Sequence, residues 1–118
     1  MTDDTAFLAA ADATLAAIGA ALDAAAAADA AAADLDWSVN DGILEIDGGR
    51  GGKIIVNRHA VNREIWVAAR AGGFHFRAAG GAWRDTRSGE RLDERLAHLL
   101  REQFGAEVAI HGLPPLAP

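Results

Sequence analysis

Apolar residues along the chain change their period once in each direction. Over residues 3–28, Phe7, Ala11, Leu15, Ile18 and Leu22 recur at steps of three and four, with Leu8 beside them. This spacing lays a single apolar stripe along a helix, turned toward a core. Thr2, Asp3 or Asp4 can cap its start, where acids complement the positive end of the helix dipole. Asp12 and Asp23 lie on one border of the stripe. Continued straight, the helix returns Asp29 to its apolar side, so it either ends near there or runs past what it packs on. The surrounding alanines favour the longer helix. Nothing large follows Leu22 until Leu35, so such an extension has little core of its own.

From Leu35 the period becomes two, the mark of strands with one face buried. Leu35, Trp37 and Val39 point in, while Asp36 and Ser38 point out. Asn40-Asp41-Gly42 is a tight hairpin signal leading into a strand over 43–47. Gly48-Gly49-Arg50-Gly51-Gly52 turns the chain into a third strand over 53–57, and 58–63 connects to a fourth over 64–69. Residues 70–73 turn again, 74–77 form a fifth strand with both phenylalanine rings on one face, and 82–85 form a sixth. The helical period then returns. Ser88 is the expected cap, Glu90 falls in the first turn, and Leu92, Leu96, Leu99, Leu100 and Phe104 form the buried face. Gly105 suits the residue after the helix. This order implies an α+β two-layer sandwich, with two terminal helices on one face of a twisted antiparallel sheet of about six strands. One domain over 1–110 and a loose tail over 111–118 are expected.

One position breaks the alternation rule for solvent faces. Ile65, Val67 and Ala69 form the inner side of the fourth strand, which leaves Trp66 outside with Glu64 and Ala68. With both helices on one face, the other face is open, and Trp66 stands on it. A large aromatic there is costly to solubility and usually has a use. If Ile54 and Val56 point inward, Ile55 and Asn57 share the face of Trp66. His75 lies opposite Phe74 and Phe76, so it joins them.

Composition narrows the function classes. The 118 residues contain no cysteine, which excludes disulfides, thiolate metal sites and cysteine nucleophiles. The formal net charge is −6, and residues 1–49 hold no Lys or Arg. An acidic chain with pI about 5.0 argues against nucleic acid and allows a metal ion or a basic protein surface. The acidic N-terminus is no secretory signal, and the alanine run reads as too weakly apolar for a bilayer, so a cytoplasmic monomer is expected. No nucleophile elbow, phosphate loop or Ser/His/Asp pattern occurs, so catalysis has little support. His59, His75, His98 and His111 share no ligand spacing; His59 falls in a loop and solvated histidine is the simplest reading.

Taken together, several segments resemble the frataxin family, and in particular its bacterial branch. They are GGKIIVNR (51–58), EIWVAA (64–69), GGFHF (72–76) and WRDTRSGE (83–90), with the first helix and Asp34-Leu35-Asp36 in register. The resemblance extends to about Val108. It implies a role in iron–sulfur cluster assembly, weak iron binding through an acidic ridge, and docking on the cysteine desulfurase and its scaffold protein. It places Asn57 and Trp66 on the partner-binding surface, and the docking set expected on this reading is Ile55, Asn57, Arg58, Trp66 and His75. The expected iron ligands are Asp23, Asp29, Asp34 and Asp36. The ridge is thinned here, because the last turns of the first helix read Gly19-Ala20-Ala21-Leu22-Asp23-Ala24-Ala25.

Carboxylates suit Fe(II). Read as strand neighbours, Asp34 and Asp36 share one face with Cβ atoms roughly 6–7 Å apart, enough for one exposed ion completed by water. Asp23 joins if the helix end folds back over the strand edge. The same residues also serve as a solvated acidic rim that keeps a sheet edge from aggregating. Three functions stay open: a non-catalytic iron-binding adaptor and regulator, a ferroxidase-like iron store or chaperone, and an acidic interaction module with no metal role.

Overall fold

The period-two segments build one antiparallel sheet in which the strands lie in chain order, β1 to β6. The computed structural model describes residues 4–110, 113, 114 and 116. The strands are β1 Asp36–Asn40, β2 Ile43–Asp47, β3 Lys53–His59, β4 Glu64–Ala69, β5 Gly72–Ala79 and β6 Ala82–Asp85. Helices α1 (Thr5–Ala26) and α3 (Leu92–Phe104) flank them in sequence, and a one-turn helix α2 (Ala30–Ala33) follows α1. α1 lies over β1 to β3 and α3 over β6, on the same side of the sheet. The expected α+β two-layer sandwich is the observed fold.

Between the layers, Leu15, Ile18 and Leu22 of α1 and Leu96, Leu99 and Leu100 of α3 meet Leu44, Ile46, Ile54, Val56, Ile65, Val67 and Phe76 of the sheet. Burying each such side chain contributes about 1.5–3 kcal/mol. One polar contact crosses this core. The buried Thr14 hydroxyl accepts from Trp83 Nε1 at 2.9 Å and donates to the Ala10 carbonyl at 2.8 Å. This satisfies the indole N–H, which would otherwise be costly at 3% exposure.

Gly42 and Gly19 are each required by their surroundings. Asp41 and Gly42 both have positive φ (52° and 76°), the backbone of the tight hairpin signalled by Asn40-Asp41-Gly42. A Cβ on Gly19 would lie 2.6 Å from the Trp37 ring, so the absence of a side chain lets α1 settle over β1.

Four expectations about the elements are corrected. α1 does not run on through the alanines. It ends at Ala26, and Asp29 starts α2 as a cap, its Oδ2 accepting from Ala32 N at 3.0 Å. Helix propensity yields here to a capping aspartate that has non-helical backbone. α3 starts at Leu92, later than Ser88. Asp85 instead folds 85–88 into a turn, accepting from Arg87 N and Ser88 N. By length and composition α1 is apolar enough to cross a membrane, against the expectation, yet its Leu15, Ile18 and Leu22 are buried against the sheet. Of the tail expected to be loose, Leu116 is anchored: it is buried and its N–H donates to the Gly81 carbonyl at 2.9 Å. His111 lies outside the described residues.

The open sheet face and the acidic margin

Strand register decides which side chains share the open face. Asn57 of β3 pairs with Trp66 of β4, which pairs with His75 of β5. On the other flank, Ile43 pairs with Asn57, and Ile55 with Ala68. Ile55, Asn57, Trp66 and His75 are thus brought together as the alternation implies. Arg58 is the exception. It alternates to the helix side of the sheet, where its Nη1 meets Asp12 of α1 at 2.5 Å. It therefore bonds the two layers together and does not share the face of Trp66.

The surroundings of Trp66 differ from those of a lone surface aromatic. His59 stacks on the indole with centroids 3.7 Å apart and planes 9° apart. His75 stacks on it at 4.3 Å and 7°. β3 continues to His59, so this residue is in a strand and not in the loop expected. It lies diagonally across from Trp66, within reach of a large ring.

Glu64 was expected to be exposed beside Trp66 but is only 3% exposed. Its Oε1 accepts from Trp66 Nε1 at 2.8 Å and its Oε2 from Arg77 Nη2 at 2.6 Å. His75 Nδ1 is 3.8 Å from Oε1. Burial pushes the Glu64 carboxyl up. The hydrogen bonds from Trp66 and Arg77 and the charges of Arg77 and His75 outweigh it, so the group ends below the ordinary glutamate value. A carboxylate is therefore held beneath the aromatic rings. Alternation puts Glu64 on the right side, but only the register shows that Arg77 and the indole N–H cover it.

The acidic margin is arranged differently. Asp23, near the end of α1, accepts from Trp37 Nε1 at 3.0 Å, which ties the helix end to β1. Asp34 ends α2 in helical backbone and is not on a strand. The same-face argument that paired it with Asp36 is corrected accordingly. Across β1 and β2, Asp36 pairs with Asp47 instead, a neighbour that sequence spacing could not reveal. Asp29 Oδ2 is engaged with Ala32 N and, at 3.3 Å, with Glu107 N. Among the described residues, no three His, Asp or Glu side chains gather closely enough to hold a metal ion. The margin is a set of separate carboxylates rather than a formed multidentate site.

This architecture defines a small two-layer α+β protein in which the described residues leave one sheet face uncovered. Comparison with known proteins gives that class its family. A frataxin-like domain matches residues 1–106. The iron–sulfur cluster assembly protein CyaY of Dechloromonas aromatica is 49% identical over 109 residues, covering 92% of this chain and 98% of its own. That of Burkholderia mallei is 43% identical over 106 residues, with 90% and 95% coverage. The frataxin of Psychromonas ingrahamii, of the CyaY family, superposes with a TM-score of 0.79 at 25% identity, covering 92% of this chain and 98% of its own. A trimeric frataxin from Saccharomyces cerevisiae, a ferrous complex, shares the fold at TM-score 0.53 and 22% identity, over 59% of this chain and 63% of its own. The chain belongs to the frataxin-like family, in its bacterial CyaY branch.

Proposed function

We propose that this protein is a cytoplasmic, non-catalytic adaptor and regulator of iron–sulfur cluster assembly that docks on the cysteine desulfurase and its scaffold protein. The observation that carries the reading is the packed aromatic group His59–Trp66–His75 on an otherwise uncovered sheet face. Its CyaY relatives are named iron–sulfur cluster assembly proteins, which supports the process. Trp66, Asn57, Ile55 and His75 form the docking face, and Arg58 supports it from the helix side. Aromatic residues at the centre of a contact commonly carry most of its binding energy.

Iron is the cargo in this reading. The yeast frataxin in a ferrous complex motivates it. Asp23, Asp34 and Asp36, with Asp29 behind them, supply exposed oxygen donors that hold one Fe(II) ion weakly, water completing its shell. The separation of these carboxylates supports weak binding and disfavours a dense oxidising site.

Calorimetry of the desulfurase–scaffold complex against wild type and Trp66→Ala tests the docking face. The variant is expected to fold and to bind about thirtyfold more weakly, the loss of one hot-spot residue. Equal affinities would remove Trp66 from the interface. Following amide signals during Fe(II) titration tests the cargo role, and no response at Asp23, Asp34 or Asp36 would end it.

A further inference from the structure

The environment of Trp66 holds more than an exposed anchor requires. His59 comes from β3 and His75 from β5, on either side of β4, so the two imidazoles cover opposite faces of the indole. The indole N–H is committed to Glu64 at 2.8 Å. Glu64 is itself fixed by burial and by Arg77 at 2.6 Å. With both faces and the N–H occupied inside the chain, the indole offers a partner only its outer edge.

We propose that His59 and Glu64 are positioning residues of the docking face: they hold the indole on edge as the middle rib of a rigid three-ring ridge. The proposal rests on the docking reading of Trp66 and adds how that residue is presented. Two physical arguments support it. A side chain already locked in one rotamer loses little freedom on binding, so more of its contact energy appears as affinity. Ring edges also carry the positive rim of the aromatic quadrupole. With Arg77 beside the ridge and Asn57 at its foot, the matching partner patch is an apolar floor bordered by oxygen acceptors, carbonyl or carboxylate.

The test uses the intact chain and two readouts. One is the NMR signal of the Trp66 Nε1–H, assigned by its loss in Trp66→Phe, with its rate of exchange with water. The other is affinity for the desulfurase–scaffold complex. His59→Ala removes one stacked ring. It is expected to speed Nε1–H exchange and to lower affinity about twofold to tenfold, the range of one aromatic pair. His59→Phe keeps a flat ring and is expected to restore both. Glu64→Gln keeps an oxygen acceptor for the indole and is expected to preserve slow exchange, whereas Glu64→Ala loses it.

An unchanged Nε1–H signal in His59→Ala, or failure of His59→Phe to restore it, overturns the positioning role. Failure of the docking reading shows differently: Trp66→Ala then leaves affinity unchanged. That result overturns the ridge as a docking element, whatever the indole signal reports.

Discussion

The open sheet face and the acidic margin are both polar surfaces, yet they are built in opposite ways. Around Trp66 the indole N–H and both carboxylate oxygens of Glu64 have partners inside the chain. Glu64 serves Trp66 and Arg77 at once, and two imidazoles close the ring faces. At the margin, Asp23 accepts from the Trp37 indole, Asp29 from the backbone N–H groups of Ala32 and Glu107, and Asp36 faces solvent, so the three attach to different elements. In the first region the indole is bonded and stacked within the chain. The second is charge held near a surface, which serves long-range attraction better than a defined coordination shell. Carboxylate density alone is therefore a poor guide to where this chain is specific.

The largest effect expected of a single change bears on the margin. Gly19→Val forces a side chain into the Trp37 ring, since even a Cβ comes within 2.6 Å. Overpacking of this kind costs about 1–3 kcal/mol. Urea unfolding should show that loss, together with release of the Trp37 Nε1–H from Asp23. Unaltered stability would mean that the ring, and with it the margin, is not pinned by α1.

A direct contrast between the regions comes next. Trp66→Ala should weaken partner binding about thirtyfold. Replacing Asp23, Asp34 or Asp36 singly with Asn should weaken it less than about fivefold at physiological salt, since an exposed charge pair contributes about 0–1 kcal/mol. Calorimetry at two salt concentrations checks both, and a reversed order would move the docking site to the margin.

Glu64 supplies a pH test of the ridge. Its pKa is lower folded than unfolded, so its contribution to stability is complete above the ordinary glutamate range. As pH falls through that range the unfolded chain takes up the proton first. The contribution is lost once the pH passes below the folded value. Glu64→Gln lacks this dependence. The gap in urea midpoint between wild type and variant should hold constant from pH 7 down to the ordinary glutamate range and narrow only as pH falls below it, and a gap that stays constant throughout would contradict the ionised state of the buried Glu64 carboxyl.

The smallest effect concerns the margin by itself. Asp34→Asn and Asp36→Asn should each change stability by less than about 0.5 kcal/mol, because both side chains are exposed. A thermal melt that shifts by many degrees would reveal a structural role for either residue.

Much of this molecule was legible before folding. The three- and four-residue steps of Leu15, Ile18 and Leu22, and the alternation around Trp37, Ile46 and Ile65, specify helices, strands and their inner faces. That information is local, because side-chain direction follows from backbone period. From it came the open face and the placement of Trp66, Asn57, Ile55 and His75 together. Tertiary structure decided what depends on register and on competing caps. Asp29 stopped α1 by capping α2, which no propensity sum showed. Arg58 turned to Asp12, and Asp34 left the strand. His59 reached Trp66 because β3 runs two residues longer than the pattern indicated. Glu64 became a buried carboxylate only when the indole N–H and Arg77, two and thirteen residues away, closed over it. Period fixes which way a side chain points, but what it touches depends on distant segments meeting, and the energy of a stacked ring or a bonded buried carboxylate exists only after they meet.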